Sequence, residues 1–282
     1  MTIKQAQKKY RAVEVDLLLS HVLGKPKEFL FMHPEHLLSA KQLLSLRKII
    51  KRRQTGEPTA YILGYKDFYG LRFKVNRNVL IPRPESEWVV EKIVASGELL
   101  VASQKKIRIL DVGTGSGCIA ISIAKKQPAN SYKLIASDIS PAALAVAKQN
   151  AKMHHANIKF INSDLLQSIK DNFDIIIANL PYGWSGWKNN TSAETVGLKF
   201  EPKRALFTKE KGLGEIRRLL GEIAQLKLPP KLVYLEFDPR QKTALNKLIK
   251  KILPFWKVKF HKDFNNFWRY AELSSLPIRA NG

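Results

Sequence analysis

Ile107-Arg108-Ile109-Leu110-Asp111-Val112-Gly113-Thr114-Gly115-Ser116-Gly117-Cys118 is the stretch that decides how the chain is read. An apolar run, then three glycines alternating with small polar residues, then a second apolar stretch from Cys118, predicts strand, tight loop and helix in that order. Glycines at such a turn let the backbone bend sharply and approach a ligand closely, so a nucleotide-type cofactor is expected above Gly113–Gly117.

The spacing departs from the dinucleotide pattern G-x-G-x-x-G, because the third glycine comes one residue early and position 118 is Cys. With the acid Asp111 directly before the loop, the S-adenosylmethionine variant is favoured over NAD. Asp138 closes the next apolar run, 25 residues after Gly113, where a carboxylate can accept hydrogen bonds from ribose hydroxyls. Ser140-Pro141 then caps and starts the following helix. Asp164 closes the run after that; its carboxylate could take an adenine amine while Leu165 packs on the ring.

Working outward, an α/β alternation emerges: helix near 85–96, strand 107–111, helix 118–127, strand 133–138, helix 141–154, strands 158–161 and 173–178, helix 213–225, strand 231–237, helix 241–251, and strands near 256–260 and 267–273. Runs such as Ile107–Leu110 and Phe173–Asn179 are apolar nearly throughout, as strands buried on both faces of a parallel sheet are. Upstream, apolar residues at helical spacing (Val13, Leu17, Leu18; Leu43, Leu44, Leu46, Ile49, Ile50) are broken at Gly24-Lys25-Pro26 and His33-Pro34. Aromatic and β-branched residues around Gly64 and Gly70 suggest a hairpin. The predicted fold is therefore α/β, a seven-stranded doubly wound Rossmann-like sheet. Its expected parts are a small N-terminal helical domain (1–57), a β-hairpin connector (58–84) and the sheet domain (85–282).

Asn179-Leu180-Pro181-Tyr182 closes the fourth strand, on the carboxyl edge where open α/β sheets place reacting groups. A planar nitrogen such as an amide is a poor nucleophile because its lone pair is delocalised. Orientation and two acceptors for its N–H groups help it attack a sulfonium methyl: here the Asn179 side-chain oxygen and the Leu180 carbonyl, with Tyr182 stacked on the plane. Trp184 and Trp187, just beyond, could line the substrate entrance or simply cover the sheet edge.

Composition narrows the function class. Cys118 is the sole cysteine, which excludes an internal disulfide and a thiolate cluster and reads as a small core residue. The six histidines show no metal-ligand spacing, so no metal is expected. No apolar run is long enough to span a membrane and no secretory leader is evident, so a soluble, cytoplasmic protein is expected, with a monomer as the default. The net charge of +24 is uneven. Residues 1–80 carry 16 Lys/Arg against 6 Asp/Glu and residues 201–282 carry 18 against 8, while 81–200 carry 14 against 10. Basic ends fit ribosome or RNA proximity, or lysine used merely on solvated faces.

Over most of its length the chain resembles the HemK/PrmC-type methyltransferases. The resemblance rests on Thr55-Gly56-Glu57-Pro58, Phe68-Tyr69-Gly70, Val79–Glu87 (Val-Leu-Ile-Pro-Arg-Pro-Glu-Ser-Glu), the glycine loop, Asp138, Asp164, Glu201-Pro202 and Leu235-Glu236. It implies N5-methylation of the glutamine in the Gly-Gly-Gln motif of class I peptide chain release factors, with S-adenosylmethionine as donor. It further implies Gly113, Thr114, Gly115, Ser116, Gly117, Asp138, Asp164 and Leu165 as donor site, Asn179 to Tyr182 as substrate clamp, and release-factor docking by the helical domain. Two positions differ from the family: Asn-Pro-Pro-Tyr is Asn-Leu-Pro-Tyr, and Leu235-Glu236-Phe237-Asp238 lacks an expected glycine. Asn-Leu-Pro-Tyr also resembles the turn of ribosomal RNA adenine N6 dimethyltransferases, so adenine remains an alternative target. A ribosomal-protein glutamine and a non-catalytic adaptor are the others.

Overall fold

The structure, a computed structural model, describes residues 1–10, 14–100, 106–128, 131–186 and 196–275, with backbone only over 96–100 and at 196. They group into two compact units: Met1–Tyr65 with a segment ending at Phe200, and the rest of the chain from Lys66 onward.

In the first unit, α1 (Ile3–Lys9) and α4 (Ala40–Gln54) each begin in a capping box, Thr2 with Gln5 and Ser39 with Gln42. Side chain and backbone there satisfy each other's orphan donors. Between them lie α2 (Val15–Leu23), closed by left-handed Gly24, and α3 (Lys27–Met32). One apolar stripe from each helix meets in a core of Ile3, Leu18, Leu19, Leu30, Leu46 and Ile50. A short helix, α5 (Thr59–Leu63), follows Pro58 and stops at Gly64, whose φ of 80° only glycine adopts without strain. The sequence reading had no helix there. Five residues are too few for a period to be seen.

The hairpin follows at once, β1 (Tyr65–Phe68) and β2 (Leu71–Lys74). Phe68 and Phe73 are fully buried in the second unit's core, which also holds residues of α6 (Glu87–Leu100) and α7 (Cys118–Lys126), and Phe73 packs against the His154 ring. Burial of each such ring is worth roughly 2–3 kcal/mol, which offsets the marginal stability of an isolated two-stranded element.

The large sheet contains β3 (Ile107–Val112), β4 (Tyr132–Asp138), β5 (Lys159–Asn162), β6 (Ile175–Ala178), β7 (Leu232–Glu236), β8 (Lys257–Lys262) and β9 (Trp268–Ser274). Its order is β5-β4-β3-β6-β7-β9-β8, parallel except where β9 pairs antiparallel with β7 and β8. This is the doubly wound seven-stranded sheet expected from the sequence. Ile175 and Ile177 face one core while Ile176 and Ala178 face the other, so β6 has no polar side to show. Helices α6, α7 and α8 (Pro141–Met153) flank the sheet together with α11 (Gly214–Ala224) and α12 (Lys242–Ile252), and two single-turn helices, α9 (Lys203–Leu206) and α10 (Lys209–Gly212), come between β6 and β7 in the chain. The order of strand addition reverses between β3 and β6, which run parallel, opening a crevice at their carboxyl ends.

Candidate active site

The crevice is a cavity lined by Gly113–Ser116, Asp138, Asp164, Leu165, Asn179, Leu180 and Pro181, among others. Of the residues singled out from the sequence, Gly117 and Tyr182 are not among its lining. Gly117 instead lets α7 and α8 close up: a Cβ there would stand 2.9 Å from Ile121 and 3.2 Å from Ala147.

Gly113, Gly115 and Gly117 all have positive φ, at 72°, 56° and 80°. The Gly113 and Thr114 amides donate to the Ser137 carbonyl, both at 2.9 Å, which fastens the loop to the end of β4. Asn150 of α8 fastens its far side, donating to the Ser116 carbonyl at 2.9 Å and pairing with the Lys74 backbone. The Asp111 carboxylate is buried beneath the loop and accepts from Thr114 Oγ1 at 2.7 Å. Burial pushes its carboxyl up to about 6 against that hydrogen bond. Cys118 is a core residue whose thiol burial raises to about 12, far from the reactive range.

Asp138 receives the Gly115 amide at 2.9 Å and the Ser140 amide at 2.8 Å. Burial still raises its carboxyl above the ordinary range. Two amides leave lone pairs to spare on the carboxylate, enough for a pair of hydroxyls. Asp164 is tied to Arg218 at 2.8 Å, and Leu165 beside it is buried with a left-handed φ of 49°. Such a conformation in a non-glycine costs about 1–3 kcal/mol and clusters at ligand sites.

At the end of β6 the Asn179 side-chain nitrogen donates to Glu236 Oε2 at 2.8 Å and to Ser86 Oγ at 3.0 Å. The carbonyl end of that amide is therefore the end left to accept a hydrogen bond. Leu180 is buried, its Cδ2 3.1 Å from where a Gly113 Cβ would be. Tyr182 donates to Glu236 Oε1 at 3.2 Å, and burial together with that carboxylate pushes its hydroxyl well up. Behind the turn, Gln241 donates to the Tyr182 and Lys211 carbonyls at 2.9 and 2.8 Å, while Gly183 pairs with the backbone of Leu206 and Thr208. Trp184 packs under the Arg240 guanidinium, 4.9 Å away, and Trp187 lies outside the described residues. Glu201, itself buried, binds the Ile81 amide at 3.0 Å and Arg83 at 2.5 Å, fixing the Ile-Pro-Arg-Pro segment as a cavity wall.

A family described as PrmC N-terminal domain matches residues 2–64, and one described as methyltransferase small domain matches residues 91–195. The chain is 36% identical over 226 residues to the release factor glutamine methyltransferase of Lactococcus lactis subsp. lactis (strain IL1403), covering 80% of each. It belongs to the release factor glutamine methyltransferase family. The family member from Koribacter versatilis (strain Ellin345) is 39% identical over 213 residues, spanning 75% of this chain and 73% of that one. Among solved structures, the N-terminal domain of human METTL16 in complex with SAH superposes with a TM-score of 0.52 at 17% identity, covering 91% and 93% of the two chains. That likeness shows a shared methyltransferase fold.

For this release factor glutamine methyltransferase family member, the sequence reading of the site omitted Glu236, Ser86, Asn150 and Glu201. Three of the four stand in the motifs that carry the family resemblance. What the motifs do not reveal is that Ser86 and Glu236, 150 residues apart, meet at Asn179.

Proposed function

We propose that this chain methylates the side-chain amide nitrogen, N5, of the glutamine in the Gly-Gly-Gln motif of class I peptide chain release factors. The reading places it in translation termination and in the cytoplasm, as a monomer. The observation that carries it is the Asn179 amide, whose nitrogen is committed to Glu236 and Ser86 so that its oxygen is left to receive an N–H at the cavity wall.

The residues fit an S-adenosylmethionine donor. The loop of positive-φ glycines offers a cradle at Gly115, where a Cβ would meet nothing within 4 Å, and Asp138 sits beside it with free acceptor capacity. Asp138 would hold the ribose hydroxyls and Asp164 the adenine amine, and Leu165 would pack on the ring. When bound, the donor supplies an electrophilic methyl group on its sulfonium sulfur.

Asn179 Oδ1 and the Leu180 carbonyl accept the two N–H groups of the glutamine amide and aim its nitrogen at the methyl. Fixing that approach removes the orientational entropy of the reaction, and the two acceptors strengthen their hold as positive charge develops on the nitrogen. With the donor bound, the nitrogen would gain the methyl as the sulfur–methyl bond breaks, S-adenosylhomocysteine would leave, and the amide would release one proton to water.

Proline's fixed φ at position 180 is replaced here by the packing of Leu180 against Gly113, which supports the same carbonyl acceptor. Incubation with labelled S-adenosylmethionine and, separately, release factor, ribosomal protein and RNA tests the reading. Label in the release factor alone is expected. Label in RNA alone would replace the reading with adenine N6 methylation.

A further inference from the structure

We propose that Glu236 is a positioning residue for methyl transfer: its buried carboxylate holds the Asn179 amide in the one flip that leaves Oδ1 facing the substrate nitrogen. The inference rests on the amide-methylation reading above.

The oxygen and nitrogen of an asparagine amide have nearly the same shape, so neighbours decide which way the group turns. Only one flip presents an acceptor. The opposite flip presents an NH₂ to the substrate's own NH₂, and two donors cannot bond.

The hydrogen bonds around Glu236 remove the choice. Ser86 Oγ and the Tyr270 hydroxyl both donate to Oε2, at 2.7 and 2.5 Å, while the Tyr182 hydroxyl donates to Oε1. Since its proton is committed to Glu236, the Ser86 oxygen can only accept from Asn179. A carboxylate likewise only accepts. Both partners of the Asn179 nitrogen are therefore acceptors, and turning Oδ1 inward would set it against both.

Glu236 is 1% exposed, so water does not relax this arrangement. The sheet builds it directly. Ala178 pairs with Leu235, bringing Asn179 and Glu236 to adjacent strand ends, and Glu236 pairs with Tyr270 on the next strand.

Glu236→Gln separates this role from a merely structural one. The variant keeps size and packing but leaves one acceptor oxygen for the four donors that meet there, and its NH₂ can take either place, so Asn179 is no longer held in a single flip. The expected result is a kcat lower by about a hundredfold, with KM for the release factor and S-adenosylhomocysteine affinity within about twofold.

Asn179→Asp alone sets two carboxylates together and is expected to be inactive. In Asn179→Asp with Glu236→Gln, the glutamine NH₂ engages one aspartate oxygen and leaves the other outward, so activity should exceed that of either single variant by about tenfold.

Wild-type kcat in Glu236→Gln, or a double variant no better than the singles, would overturn the proposal. Should Glu236→Gln fail to fold, selective ¹⁵N-asparagine labelling of the wild type decides. Slow exchange of the Asn179 NH₂ protons is expected, and exchange at the rate of an exposed amide overturns the proposal. That readout needs no substrate. Failure of the wild type to methylate a release factor would sink the functional reading while leaving the amide orientation measurable.

Discussion

Gly113 and Leu180 meet so closely that a Cβ on the glycine would stand 3.1 Å from the leucine Cδ2. The glycine loop after β3 and the turn after β6 are thus packed on each other, a side chain against a backbone.

Gly113→Ala should be harmful for two separable reasons. A left-handed φ of 72° costs an alanine about 1–2 kcal/mol, and the new methyl pushes on Leu180. Adding Leu180→Ala relieves only the second. Chemical denaturation of the four species should give a favourable coupling of at least about 0.5 kcal/mol, and strict additivity would mean that the two do not touch.

Asp111 sets a pH dependence. Its folded carboxyl is raised from 3.8 to about 6, so the native state holds the proton more tightly than the unfolded chain. Stability from this group is present below about pH 4 and is lost as pH rises through about 6. Asp111→Asn does not titrate. The variant should gain on the wild type by about 3 kcal/mol between pH 4 and 7 in denaturation midpoints, and a constant difference would count against the buried ionisation.

Glu201→Ala leaves the Arg83 guanidinium buried without its carboxylate and frees the Ile81 amide. A loss of about 3–5 kcal/mol is expected, with a higher KM for the donor because the wall formed by Ile81–Arg83 loosens. Thermal unfolding and steady-state kinetics read the two effects, and an unchanged melting temperature would contradict the pairing.

The sheet was legible in the sequence because its strands are buried on both faces: Ile175–Ala178 and Ile107–Val112 can be little else. The glycine loop and Asp138 were legible for a similar reason, since their chemistry is local to one strand-to-helix turn. The Glu236 cluster was not. A glutamate inside a strand reads as a solvent-facing residue until Ser86, Asn179, Tyr182 and Tyr270 are known to converge on it, and they lie in three separate segments. The left-handed run Glu210-Lys211-Gly212, which forms α10 (Lys209–Gly212) against the Tyr182 carbonyl, escaped as well. Nothing in the residue types Glu and Lys signals a positive φ.

Mass-spectrometric mapping of a release factor incubated with S-adenosylmethionine and either wild-type protein or Asn179→Ala tests the account most directly. The predicted result is one methyl group on the glutamine of the Gly-Gly-Gln motif with the wild type. With Asn179→Ala, turnover should fall by about a hundredfold or more while the variant still binds S-adenosylhomocysteine. A methyl group elsewhere, or equal turnover by the variant, would contradict the account.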